Sequence, residues 1–323
     1  RDVLANAGTC TAACSFPAIT TMTAGDGCCL PGGNNNTDSD CAPRCLNGVV
    51  EMGEQCDDGN MNNTDACSNT CTLTTVTPTA FRMSDLDLRN PHTFVNFIGC
   101  RDVTDTPLVG FSVNGELQTN IQLDGDSPAD GLLDLSIATV FRPLNQAGAT
   151  NPLEIHFPSC SAPIGTTTCR RTPAAAAMIP TTATNMATGM CLTPLAGTQG
   201  TPYTPAITSP TGPCYVAGPV TVTISLAGIP ITLRDTRIAA TYVGNPATNT
   251  TNGLLMGFIS EADANATILP SSLPLVGGQP LSSLLPGGMG NCSSRDDRDM
   301  NGTVRGWWFY LNFTAPRVTW IDN

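Results

Sequence analysis

The residues best suited to chemistry in this sequence are short runs of oxygen ligands. Asp124-Gly-Asp126, followed by Asp130-Gly-Leu-Leu-Asp134, sets four carboxylates within eleven residues. Their mutual repulsion is costly in a folded loop unless a cation lies between them. Ca²⁺ takes roughly six to eight hard oxygens, and short loops with acids at close intervals present several on one concave side. Calcium is therefore the expected ligand, in a structural role. Asp297-x-Asp299-x-Asn301-Gly302 repeats the EF-hand spacing at positions one, three, five and six. Trp308 stands where the EF-hand puts its bidentate carboxylate, so another segment must complete that shell, or the run is a solvated acidic turn. Asp57, Asp58, Asn60 and Asp65 form a third candidate, with local turn capping by Asp and Asn as its alternative.

Other chemistry is poorly served. No H-E-x-x-H, G-x-S-x-G or P-loop occurs. His92 and His156 are the two imidazoles, and each reads as a structural histidine rather than a base. A glycosidase needs only two facing carboxylates, which keeps Glu116, Glu154 and Glu261 in view. No lysine is present, which removes Schiff-base and lysine-base mechanisms. Trp308 and Tyr310 could form an aromatic platform for sugars or for a neighbouring subunit; the alternative is that they close the core. On these grounds the chain is expected not to be an enzyme.

Fifteen cysteines and a net charge of −12 narrow the setting. The acidic balance repels phosphate backbones, so nucleic acid is not an expected partner. The close cysteine spacings are C-x₃-C and an adjacent Cys28–Cys29 rather than paired C-x₂-C zinc knuckles, so disulfides in an oxidising compartment are expected. No run of apolar residues is long enough to span a bilayer, and a chain opening at Arg1 without an apolar leader suits a processed, exported product. The expected location is extracellular, secreted or at a cell surface.

Nine cysteines fall within the first 71 residues, where aliphatic residues are too few for an ordinary core. There, Cys45-Leu-Asn-Gly-Val-Val-Glu-Met-Gly-Glu-Gln-Cys56-Asp-Asp-Gly-Asn60, closing with Asp65-Ala-Cys67-Ser-Asn-Thr-Cys71, resembles the myxococcal cysteine-rich repeat. The resemblance covers under a tenth of the chain and implies a secreted or surface setting more than any activity. Leu46 and Ala66 stand where the repeat has glycine, which matters if either site needs a positive φ. A preceding segment, residues 26–41, resembles one that often accompanies the repeat, with Gly33 at a position commonly cysteine; that substitution accounts for an odd cysteine count. The end of the chain, from Asp296 through Trp307 to Thr314, is similar to uncharacterised myxobacterial secreted proteins, a likeness that carries no activity.

The elements that must position these residues read as mainly β. Thr93–Ile98, Gln118–Leu123, Leu133–Phe141, Val220–Leu226, Ile231–Val243 and Trp307–Phe313 are rich in Val, Ile, Thr and aromatics and bounded by turn residues. In the last, Trp307, Phe309, Leu311 and Phe313 take one side and Trp308, Tyr310 and Asn312 the other. One helix is predicted from about Gly253 to Ile268, capped by Asn252 and stopped by Pro270, and 170–213 is predicted as long loops. The expectation is a β-sandwich-like domain with one short helix over 76–323, preceded by a disulfide-stapled module over 1–75. Such a chain reads as an extracellular structural or interaction protein, a homo-oligomer or a subunit of a fibre or surface layer. The alternatives are a calcium-dependent binder of surface glycans and a secreted hydrolase.

Overall fold

In a computed structural model, residues 3–5, 13–15, 20–57, 59, 61, 67–72, 77–165, 168–172, 178–199, 203–226, 229–290, 292 and 296–322 are described. The chain divides into two compact units, Arg1–Thr77 and Pro78–Asn323.

In the small unit, β1 (Val3–Ala5) and β2 (Ala13–Ser15) pair antiparallel. The described part of 20–72 is turns and bends, joined by Cys29–Cys41, Cys45–Cys71 and Cys56–Cys67. Cys28 is a free thiol. The buried apolar side chains here are half-cystines, Cys41, Cys67 and Cys71. Polar clamps do the rest. Glu51 is buried and accepts backbone N–H groups of Asn35 at 2.5 Å and Arg44 at 2.6 Å, and these bonds hold its carboxyl below the usual range. Leu46 has φ of 75°, so the backbone does adopt the conformation glycine would favour there.

The large unit contains β3 (Thr79–Arg82), β4 (Asp85–Asn90), β5 (Phe94–Asn96), β6 (Cys100–Asp102), α1 (Val113–Gln122), β7 (Ala138–Phe141), β8 (Thr150–His156), β9 (Ser159–Cys160) and β10 (Thr168–Arg170). It continues with β11 (Met178–Met186), β12 (Cys214–Leu226), β13 (Ile229–Val243), β14 (Asn249–Ser260), α2 (Glu261–Ala266), β15 (Asp299–Asn301) and β16 (Val304–Ile321). The sheet runs β14-β13-β12-β11-β8-β7-β3-β16, and β16 pairs back onto β14. Eight strands thus close into a barrel. The mainly-β expectation holds, and the sandwich is corrected. A sandwich needs two sheets with edges, whereas β16 pairs with β14 and also with β3 and β4, leaving the ring no open edge.

The alternation read along β16 is present. Trp307, Phe309, Leu311 and Phe313 join the main core with Leu233, Leu255 and Ile259. Trp308 and Tyr310 join a second cluster with Leu192, Leu254, Met256 and Phe258. Both faces of β14 and β16 are therefore covered, the second by the segment that Cys191–Cys214 ties down.

Three element expectations change. Residues 249–260 are strand, and helix α2 starts only after Ser260, whose Oγ accepts the Asp263 N–H at 3.0 Å. A strand buried on both faces gives an unbroken apolar run that mimics a helical stripe. Residues 118–122, expected as strand, belong to α1, and Ser112 caps it by accepting the Gly115 N–H at 3.2 Å. Within 170–213, β11 is a further strand in what was expected to be loop.

Candidate metal centre

The acidic loop at 124–134 follows α1 directly and is held at both ends. Leu123 N–H donates to Thr119 O at 3.0 Å, Asp134 N–H to Leu123 O at 3.2 Å and Leu135 N–H to Asn120 O at 2.7 Å. Arg82, buried on β3, donates from Nη2 to Leu135 O at 2.9 Å and to Ile121 O in the last turn of α1. That turn has no basic residue of its own, so Arg82 supplies the cation that the negative end of the helix favours. Burial lowers the guanidinium pKa to about 10. On the other side, Leu133 N–H donates to Cys160 O and Ala162 N–H to Gly131 O, both at 2.9 Å, and Cys160 is bonded to Cys169. Leu133 packs on this disulfide with Val318 and Trp320.

Within that frame the carboxylates converge. Asp124, Asp126 and Asp134 each bring a ligand oxygen within 4.8 Å of the others. Two oxygens on opposite sides of one Ca²⁺, each at about 2.4 Å, are separated by about that much. Asp124 Oδ2 accepts the Gly131 N–H at 2.7 Å, while its Oδ1 is buried without a hydrogen-bond partner. Asp134 accepts the Gly125 N–H at 3.0 and 3.2 Å. Gly125 permits this approach, because an added Cβ would lie 2.8 Å from Asp134 Oδ2. Desolvation, then repulsion from Asp130, Asp134 and Asp124, raises the Asp126 pKa. Asp130 stays outside the converging set and turns back to accept the Leu132 N–H at 2.8 Å. Hard oxygens, an unpartnered buried carboxylate oxygen and unrelieved like charge all fit a Ca²⁺ ion.

The other two candidates do not keep their expected form. Asp299 and Asn301 lie on β15, which pairs antiparallel with β16 through a tight turn at Gly302, φ 61°. The one-three-five spacing here is the two-residue period of a strand, and the EF-hand reading is corrected on that ground. Asn301 Nδ2 donates to Asp235 at 2.6 Å. Asp297 is buried, and burial pushes the Asp299 carboxyl up to about 6. In the small unit, Asp57 accepts N–H groups from Asn47, Gly48 and Gly59 at 2.9–3.1 Å, which fits the turn-capping alternative. Its acidic neighbour Glu54 lies beside Cys45 and Cys71, whose sulfurs are bonded to each other and offer no thiolate. Asp58, Asn60 and Asp65 lie outside the described residues.

The aromatic platform is also corrected. Trp308 is 5% and Tyr310 0% exposed. Tyr310 Oη accepts the Leu195 N–H at 3.1 Å and bonds the Thr198 hydroxyl, and Trp308 packs on Phe258 at 5.5 Å between ring centroids. Neither ring presents a face to a ligand.

Both histidines are buried beside a carboxylate. His92 Nδ1 lies 2.5 Å from Asp102 and its ring stacks on Tyr203 at 3.5 Å. His156 Nε2 lies 2.7 Å from Glu154, which also accepts from Arg142 at 3.0 Å, and Arg142 in turn donates to Asp322. Burial works against ionisation of Asp102 and Glu154, but hydrogen bonds from the histidines and neighbouring donors hold both below the usual carboxylate range. His92 Nε2 and His156 Nδ1 are buried without a hydrogen-bond partner, so no hydroxyl or thiol is bonded to either. The Glu154-Ile-His156 spacing puts both side chains on one face of β8, although 150–156 was not among the expected strands; Asp102 carries no such signal. No protein family matches the chain, and no curated protein or solved structure matches it either.

Proposed function

We propose that this chain is an extracellular structural or interaction protein, stabilised by disulfides and by Ca²⁺ in the 124–134 loop, which associates with copies of itself in a surface layer or fibre. The convergence of Asp124, Asp126 and Asp134 in a loop pinned by a disulfide carries the reading. Six disulfides among the described residues support the oxidising setting, as does the resemblance of 45–71 to a repeat of surface proteins. Among the described residues, no helix is long and apolar enough to cross a membrane.

Calorimetric titration of the full chain with Ca²⁺ tests this. The expected result is one saturable site that raises the melting temperature. Gly125→Ala is expected to weaken binding about tenfold, because its Cβ displaces the Asp134 carboxylate. Affinity is expected to fall with pH, and because the Asp126 pKa is raised the fall begins above the ordinary carboxylate range. Light scattering with Ca²⁺ is expected to show particles larger than one chain. Heat-free titration with melting unmoved by EDTA would remove calcium from the reading, and a strictly monomeric species at high concentration would remove self-association.

A further inference from the structure

An apolar void of about 100 Å³ lies between α1, β4, the 269–285 segment and the strands β12, β13 and β16. Leu88 of β4, Leu117 of α1, Ile231 of β13, Leu273 and Leu284 of the 269–285 segment and Phe309 of β16 contribute its walls. Thr93 and Glu116 are the polar residues among its lining. Packed interiors contain few voids larger than a water molecule. An aliphatic void cannot satisfy the roughly two to four polar partners that an ordered water needs, and an engineered void of about 150 Å³ with similar walls stays dry and takes up benzene or xenon.

The void has a side that reaches the surface. Val113, Glu116, Ile231 and Leu273 are only partly buried, unlike Leu88, Leu117, Leu284 and Phe309 behind them. The charge at that rim is the Glu116 carboxylate, on a chain of net charge −12. An anionic head group is disfavoured there by like charge. A neutral ring or short alkyl chain meets no such penalty.

We propose that this void is a binding site for a small uncharged apolar molecule, a single aromatic ring or a short alkyl chain, which enters between Ile231 and Leu273 and lodges against Leu284 and Phe309. This site is separate from the acidic loop and needs no cation.

The test uses the full chain with methyl-labelled Leu and Ile, titrated with benzene and, separately, with dissolved xenon. Saturable methyl shifts are expected at Leu88, Ile231 and Leu284, with the methyls of the small unit unmoved. Leu273→Trp, which fills the void from its rim, is expected to weaken benzene binding at least tenfold, while the volume-conserving Leu153→Met, in the core but outside the lining, retains it. If Leu273→Trp does not fold, Ile231→Phe serves as the filling variant, and the wild-type titration is decisive by itself. Shifts that rise linearly without saturation would overturn the site. Octanoate binding as tightly as an uncharged molecule of the same chain length would overturn the neutral ligand class.

Discussion

In the described part of residues 20–72 the buried apolar side chains are the half-cystines Cys41, Cys67 and Cys71, whereas in Pro78–Asn323 they include Trp307, Phe81, Phe141 and Tyr215. Both units carry three disulfides among the described residues, yet the bridges have different work. In the small unit they stand where a core would be. In the large unit Cys160–Cys169 pins a loop against a barrel that already has a continuous interior, and Cys191–Cys214 pins the segment that covers its outer face. Cysteine density therefore marks where a core is missing, and isolated pairs mark where a long connection must be fixed.

The largest expected effect comes from the barrel interior. Trp307→Ala removes a fully buried ring and its Nε1–H bond to Pro286 O at 2.9 Å, and is expected to lower stability by about 4 kcal/mol in urea unfolding. Amide exchange in the small unit should not change. Next is the joint replacement Cys45→Ser with Cys71→Ser. On loop-closure entropy, a bridge spanning 26 residues contributes about 3.5 kcal/mol, enough to unfold a unit without an apolar core. The expected outcome is unprotected amides in 20–72 with an unchanged barrel transition. Persistent protection there would show that the polar clamps suffice.

Asp299→Asn gives a smaller, pH-dependent effect. Burial raises this carboxyl from 3.8 to about 6, so the folded state favours the protonated form, and stability falls as pH rises between those values. The variant is expected to be more stable than the parent by about 2 kcal/mol at pH 7.5, after allowance for partial exposure, and equal to it at pH 4. Melting curves at the two pH values check the sign. The smallest effect belongs to Leu46→Gly. A non-glycine residue at φ 75° carries roughly 1 kcal/mol of strain, so the substitution should stabilise the small unit by about that amount, read from its amide exchange.

Of the eight ring strands, β7, β12, β13 and β16 were legible, whereas their closure into a barrel was not. The alternation at 220–224 and 307–313 holds because those side chains sort between two environments. Helix α1 was not legible because its buried face is partly polar. Asn114 accepts the Leu88 N–H at 2.7 Å and donates to Leu88 O at 3.0 Å, and Gln118 donates to Asp85, Leu86 O and Asp87. Its amides complete the hydrogen bonding of β4, which blurs the apolar stripe that would announce a helix. Of the candidate ligands, Asp124, Asp126 and Asp134 of the 124–134 loop stay together, because the loop's pairing is confined to an isolated bridge of Leu132 with Ser161. At 297–301 the same residue types were claimed by a hairpin, and nothing in their spacing separates the two outcomes.

The 18-residue β16 has a consequence for the order of assembly. Its pairing joins Phe81 to Arg317 and Ala80 to Val318, across nearly the whole length of the large unit. A chain emerging from its N-terminal end can build the meander β11–β14 as it appears, since those partners are neighbours in sequence. The ring itself stays open until the final strand arrives, and contacts of such long range form slowly. Until then the backbone edges of β3 and β14 that pair with β16 lack their partner, so closure is the step that removes the last open edges of the ring.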